Sequence, residues 1–176
     1  IWGSFSMDGR EEEYQWAGPY LYSRQVVAVR SDSDIRTLQD LAGKVVAVQS
    51  TTKPEELFLN AEQNGLPRLR RLYSLQNRDL LYTTLLKGYA DALAAHESAI
   101  RQFMKDYSVE YRIRDEPLMT ARLGVAFAKE RGDDLPQQLT EVFQEMLADG
   151  TVRQIVSRYL DDPGHYLDGL EDSTHA

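Results

Sequence analysis

Cysteine is absent from the 176 residues, which excludes disulfides and thiolate chemistry and leaves the redox compartment unread. Histidine occurs only three times, at His96, His165 and His175, too dispersed for the close ligand spacing of a metal site, so no metal is expected. No apolar run approaches the roughly 20 residues that cross a bilayer, and no charged-then-apolar leader opens the chain. Nucleophile-elbow, zinc-protease and phosphate-loop motifs are all missing, so no catalytic residue and no cofactor is predicted. Positive charge is in the minority: 20 Lys and Arg stand against 28 Asp and Glu, a formal net charge of −8. That balance speaks against a nucleic-acid surface.

What is present is enough apolar sequence, 42%, to bury a core in one domain or two small ones. The chain opens at Ile1 without a methionine, directly on the strand-like run Ile1 to Ser6, which predicts that a leader or domain precedes it. The Asp8-Gly9 turn, Arg10 and the acidic run Glu11 to Glu13 follow. A second turn at Gly18-Pro19 leads into a strand from Tyr22 to Arg30, and Asp34 to Ala42 reads as a short helix.

The next stretch, Lys44 to Gly65, organises the rest. Lys44 to Gln49 is β-branched and apolar, as in a buried strand, and Leu57, Phe58 and Ala61 recur at helical spacing before Gly65. Between them, Thr52 with Glu55 fits a capping box and Pro54 suits a first helical turn. A helix starting near Thr52 offers unpaired N–H groups to a carboxylate or phosphate, with Thr51, Thr52 and Lys53 beside it. The same pattern also describes an ordinary capped helix after a strand.

Alternation continues through a strand at Pro67 to Tyr73, a helix at Asn77 to Lys87 with Leu80, Leu81 and Leu85 inward, a strand at Ala90 to Ala95, a helix at Glu97 to Lys105, and strands at Val109 to Ile113 and Leu123 to Ala128. This order predicts an α/β layer on a mainly parallel sheet. Capping boxes at Asp134 and Thr151 predict two closing helices, the first burying Leu139, Val142, Phe143, Met146 and Leu147, the second Val152, Ile155, Val156 and Tyr159. Past Leu160 the sequence turns to Asp, Gly, Pro and Ser, and the last residues are expected to form a frayed tail.

Four stretches, Gly3 to Tyr20, Leu38 to Thr52 (LQDLAGKVVAVQSTT), Leu86 to Leu93 (LKGYADAL) and Leu123 to Leu160, resemble in order and spacing the family 3 bacterial extracellular solute-binding proteins that serve polar amino-acid ABC transporters. The resemblance implies a periplasmic-binding-protein type II fold: two α/β lobes joined by crossing hinge strands and closing on a ligand. On this mapping residues 1–22 and 122–176 are the remainder of lobe one, whose opening part the sequence does not contain, and residues 23–121 are the inserted lobe two. The function implied is a periplasmic receptor that hands a small carboxylate-bearing ligand, a polar amino acid, to an ABC transporter permease. Ser4, Phe5 and Ser6 fall in the ligand-contacting stretch, with Phe5 where members carry a small hydroxyl residue.

By the same resemblance Arg10 forms the bidentate pair with the ligand carboxylate, a role suited to a planar, always charged fork, and Thr52 reaches that carboxylate too. A surface pairing of Arg10 with Glu11 to Glu13 is the alternative. His96 stands where an aspartate binds the ligand ammonium, and Glu97 beside it is expected to turn inward and take that role. The alternatives are a His96 that merely closes a strand, or a ligand whose second group is neutral or anionic. Two further functions remain open: a ligand-sensing domain of a membrane signalling protein, and an enzyme similar to periplasmic cyclohexadienyl dehydratases.

Overall fold

The computed structural model describes residues 1–3, 5–167, 169 and 170. The chain divides into two compact units, Arg24–Met119 and Ile1–Ser23 with Thr120–Ala176. The chain passes between them inside two strands, β1 (Gln15–Arg30) and β6 (Met119–Phe127).

In the Arg24–Met119 unit the sheet order is β3 (Arg71–Leu75), β2 (Val45–Gln49), β4 (Ala92–His96), β1, β5 (Tyr111–Ile113). β2 pairs in parallel with β3 and β4, while β1 runs antiparallel to β4 and β5, with Val27 opposite Ala94. The sheet is therefore mixed rather than mainly parallel. Its central strands are apolar on both faces because both faces are covered. Val26, Ala28, Val45, Ala47 and Leu93 pack with Leu81 and Leu85 of α2 (Arg78–Leu86) and Ile100 and Phe103 of α3 (Glu97–Tyr107). Their alternates Val27, Val29, Val46, Val48, Ala92 and Ala94 pack with Leu38 and Leu41 of a 3₁₀ turn (Leu38–Leu41) and Phe58 of α1 (Lys53–Leu59).

In the other unit β6 pairs with β1. Ala17 and Val125 pack under Phe143 of α4 (Leu135–Ala148). Leu147 packs with Val152 of α5 (Thr151–Val156) and Leu167 of α6 (Gly164–Leu167).

Several expected elements differ. Among the described residues of Ile1 to Ser6 no strand is assigned: Ser6 makes an isolated antiparallel bridge with Leu123, and Ile1 exchanges backbone hydrogen bonds with Ala126. The Gly18-Pro19 turn is absorbed into β1, where Gly18 has φ 109° and donates its N–H to Thr140 Oγ1 at 3.2 Å. Asp34 to Ala42 shrinks to the 3₁₀ turn because the Asp40 carboxylate folds back onto the N–H groups of Arg36 and Thr37, both at 2.8 Å. α1 stops at Leu59, and residues 60–65 are turns. Leu80 is 53% exposed, since Leu81, Tyr82 and Leu85 form the inward face. Val142, Ile155 and Tyr159 are exposed, the last by 77%. α5 is capped by Gly150 and by Asp149 Oδ1, which accepts from Thr151 N at 2.8 Å, so Thr151 is its first residue and not its cap. Past Leu160 the chain forms α6 with Tyr166, Leu167 and Leu170 buried, and the last residues, 171–176, where fraying is expected, lie outside the described residues.

Because the Arg24–Met119 unit carries apolar packing on both faces of its sheet, it is expected to fold alone and melt cooperatively by circular dichroism; a broad, featureless melt contradicts this. Leu93→Ala, which opens a cavity at a fully buried position, should lower the unfolding free energy in urea by ~2–5 kcal/mol.

Candidate functional site

Arg10 sits in a loop that three acidic-basic contacts hold in place. Asp8 accepts from Arg122 Nε at 2.8 Å and Arg122 N at 2.6 Å, and Glu11 Oε1 accepts from Arg122 Nη2 at 2.9 Å. The hydrogen bond to Asp8, with the charges of Asp8 and Glu11, raises the Arg122 pKa above its ordinary value. Met7 N donates to Arg122 O at 2.9 Å, and Trp16 Nε1 to Arg10 O at 3.1 Å, so the Arg10 backbone is tied at both sides.

The Arg10 side chain is left over. Its Cζ lies 4.8 Å over the Phe5 ring centroid, a cation–π contact, and among the described residues no carboxylate pairs with it. The alternative, a surface pairing of Arg10 with Glu11 to Glu13, is not formed among the described residues: Arg122 takes Glu11, and no ion pair joins Arg10 to Glu12 or Glu13. Phe5 in turn stacks on Trp16 (5.5 Å, 24°) and meets Tyr14 edge-on (5.5 Å, 84°). Ser6 Oγ accepts from Asp8 N at 3.2 Å and shapes the loop. Ser4 lies outside the described residues.

In the Arg24–Met119 unit, Thr52 caps α1 by backbone geometry, but the capping box is not formed. Thr52 Oγ1 donates to Gln49 O at 2.6 Å, and Glu55 Oε2 accepts from Thr51 N at 2.6 Å instead of from Thr52. Thr51, at φ 61°, also spends its hydroxyl on Ser50 O at 2.7 Å. Lys53 Nζ is paired with Glu56 Oε2 at 2.7 Å. Of the threonine–lysine trio, Thr52 borders a cavity.

That cavity, of about 20 Å³, is lined by Gln25, Gln49, Thr52, Pro54, Arg78, Leu81, Tyr82, Ala94, Ala95, His96 and Ala99. It lies at the carboxyl ends of the parallel strands β2 and β4, where open α/β sheets place ligands. Gln25 Nε2 lies 3.0 Å from both His96 ring nitrogens, and its donation requires a ring nitrogen with a free lone pair. Burial first, and the Arg78 charge second, lower the His96 pKa, which agrees with a neutral ring.

Glu97 does not line the cavity. It is 1% exposed, with Oε2 2.9 Å from Arg24 Nη1 and Oε1 2.6 Å from Arg101 Nη2. Two guanidinium groups thus match its charge, and an ammonium would have to displace one of them. The expectation that Glu97 serves a ligand ammonium meets this obstacle, which follows from its being the first residue of α3 and not the end of β4.

Sequence reasoning missed Gln25, Gln49, Arg78 and Tyr82. Signals existed for two of them. Gln25 is a polar residue opening the apolar run Val26 to Val29, and Arg78 is a cation at the positive end of a helix, where it is electrostatically disfavoured.

Residues 1–162 match the family model for bacterial extracellular solute-binding proteins, family 3. Among curated relatives, the histidine-binding periplasmic protein of Escherichia coli (strain K12) is 32% identical over 161 residues, covering 86% of this chain and 60% of the relative. The glutamate-binding protein GluB of Corynebacterium glutamicum is 25% identical over 162 residues, covering 86% and 52%. The chain thus spans about 60% or less of the length of these relatives. Among solved structures, an ABC uptake transporter substrate-binding protein from Streptococcus pneumoniae with bound histidine aligns with a TM-score of 0.76 at 20% identity, covering 93% of this chain and 68% of the other. At that identity the likeness speaks for the fold, which is that of two-lobed α/β substrate-binding proteins. With the family model spanning nearly the whole chain, this protein belongs to family 3 of the bacterial extracellular solute-binding proteins.

Proposed function

We propose that this chain is part of an extracytoplasmic, non-catalytic receptor that captures a small carboxylate-bearing solute, an amino acid, and delivers it to an ABC transporter permease. Residues 1–22 and 122–176 are assigned to its first lobe and residues 23–121 to its second. The observation that carries the reading is Arg10. In a loop followed by three consecutive glutamates, Arg122 neutralises Asp8 and Glu11 while the Arg10 guanidinium rests on an aromatic ring without a carboxylate. A cation held over a ring and left unpaired is prepared for an anion from outside. Family membership and the names of the relatives, which bind histidine and glutamate, support an amino acid as the solute. Within the Arg24–Met119 unit, Thr52 at the start of α1 is a further candidate for contacting a carboxylate, through its backbone N–H because its hydroxyl is spent on Gln49 O.

Two measurements test the assignment on the full-length protein. Arg10→Ala should weaken binding of the amino-acid ligand at least tenfold by calorimetry, the loss of a charge-assisted bidentate contact being worth ~2–5 kcal/mol; unchanged affinity removes Arg10 from the site. The chain has two tryptophans, Trp2 and Trp16. Since Trp16 stacks on the ring under Arg10, ligand addition to a Trp2→Phe variant should change Trp16 fluorescence, and Arg10→Ala should abolish the change at the same ligand concentration.

A further inference from the structure

The cavity between α1, α2 and the ends of β2 and β4 holds more than the carboxylate reading uses. Two of its lining residues are almost wholly buried, Gln25 at 5% and Tyr82 at 2% exposure. Gln25 Oε1 and the Tyr82 hydroxyl have no hydrogen-bond partner among the described residues. Leaving such atoms unpaired in the interior is unfavourable, so two residues that carry them and line one cavity point to a group that completes them.

The charges around the cavity restrict what that group can be. Arg78 lines it, and its charge reaches both His96 and the Tyr82 hydroxyl. No carboxylate among the described residues pairs with Arg78, and Glu97, the buried acid at the start of α3, is neutralised by Arg24 and Arg101. A cationic group in the cavity would face Arg78, which lines it, whereas Asp79, whose charge also reaches the Tyr82 hydroxyl, is not among the lining residues. A carboxylate would suit Arg78 and the Tyr82 hydroxyl but set its oxygens against the Gln25 carbonyl, which can only accept. An uncharged group that donates and accepts meets every demand: it donates to Gln25 Oε1 and accepts from Tyr82 or Arg78. The cavity volume, about 20 Å³, suits the end of such a group, on the scale of a single water.

We infer that this cavity is the specificity pocket of the receptor and that it selects a ligand whose second polar group is neutral, a hydroxyl or a primary carboxamide, against cationic and anionic counterparts. The inference rests on the receptor reading above. It concerns the Arg24–Met119 unit alone and separates this chain from a receptor for basic or acidic side chains.

Isosteric pairs test it by calorimetry on the full-length protein: glutamine against glutamate, asparagine against aspartate, citrulline against arginine. Lactate against alanine asks whether the neutral group is instead an α-hydroxyl. The neutral member of at least one pair should bind about tenfold or more tighter than its charged partner, a difference of about 1.4 kcal/mol. Tyr82→Phe should reduce that preference, and Arg78→Gln should narrow the citrulline-to-arginine ratio by about tenfold with the melting temperature unchanged. Tighter binding of arginine, glutamate or aspartate than of every neutral compound overturns the inference and leaves the receptor reading standing. Binding of none of the panel at millimolar concentration overturns the receptor reading and the inference with it. A selectivity that neither substitution alters overturns the assignment to this cavity.

Discussion

Burial of β1, β2 and β4 on both faces is the constraint from which the chemistry of the Arg24–Met119 unit follows. A strand covered on both sides has no solvated face on which to carry polar side chains, so they collect at its ends. Val45 to Val48 and Ala92 to Ala94 are buried, and the first polar side chains after them are Gln49 and His96. Because β2 and β4 are parallel, these ends lie at the same edge. The antiparallel neighbour β1 brings Gln25 opposite His96 there. Three polar residues from distant parts of the sequence are thus assembled by sheet direction alone, and helix starts at Lys53, Arg78 and Glu97 follow these and the neighbouring strands.

Glu97 shows how that edge is kept free of negative charge. A buried carboxylate is tolerable only when paired, and here Arg24 and Arg101 both reach it. Arg101 lies one helical turn further along α3, and Arg24 lies beside Gln25 on β1, with its other Nη bonded to Asp115 O at 2.7 Å. The acid therefore braces α3 against β1 and leaves the neighbouring cavity to Arg78, His96 and two unpaired neutral groups. His96 fits the same logic, since a neutral ring hydrogen-bonded to Gln25 adds no negative charge.

The legible parts of the sequence were those where one local signal sufficed. Apolar runs such as Val45 to Val48 gave strands, and the helix expected over Asn77 to Lys87 forms as α2, with the Asn77 side chain accepting from Asp79 N at 2.8 Å. Signals that needed a distant partner were misread. Thr52 and Glu55 have capping-box spacing, yet the left-handed Thr51 places its own N–H nearer the Glu55 carboxylate. Gly18-Pro19 looks like a turn, but Thr140, far away in sequence, meets the Gly18 N–H and lets the strand continue. Leu167 and Leu170 are hidden among Asp, Gly and Pro, and only their packing with Leu147 and Val152 reveals them as core. Arg10 and Thr52 were marked through family resemblance; Gln25, Arg78 and Tyr82 emerge only from the cavity they share.

Arg122 explains why Arg10 is available at all. Two arginines compete for the acids of the loop, and geometry decides between them. Arg122 lies in β6, held by strand pairing, and its own backbone N–H donates to the same Asp8 carboxylate that accepts from its Nε. This two-point contact binds Asp8 to a rigid element, and Glu11 follows through Arg122 Nη2. Gly124, two residues on, permits the close approach: a Cβ there would come within 2.7 Å of Met7 Sδ and 3.0 Å of Ala17 O. Met7 can therefore pack against the strand while the loop turns back over Phe5. Arg10, which lies in the loop and not in a strand, is given only the weaker ring contact. The loop's acids anchor it to the sheet through Arg122, and its remaining cation rests on the Phe5 ring with no carboxylate paired to it among the described residues.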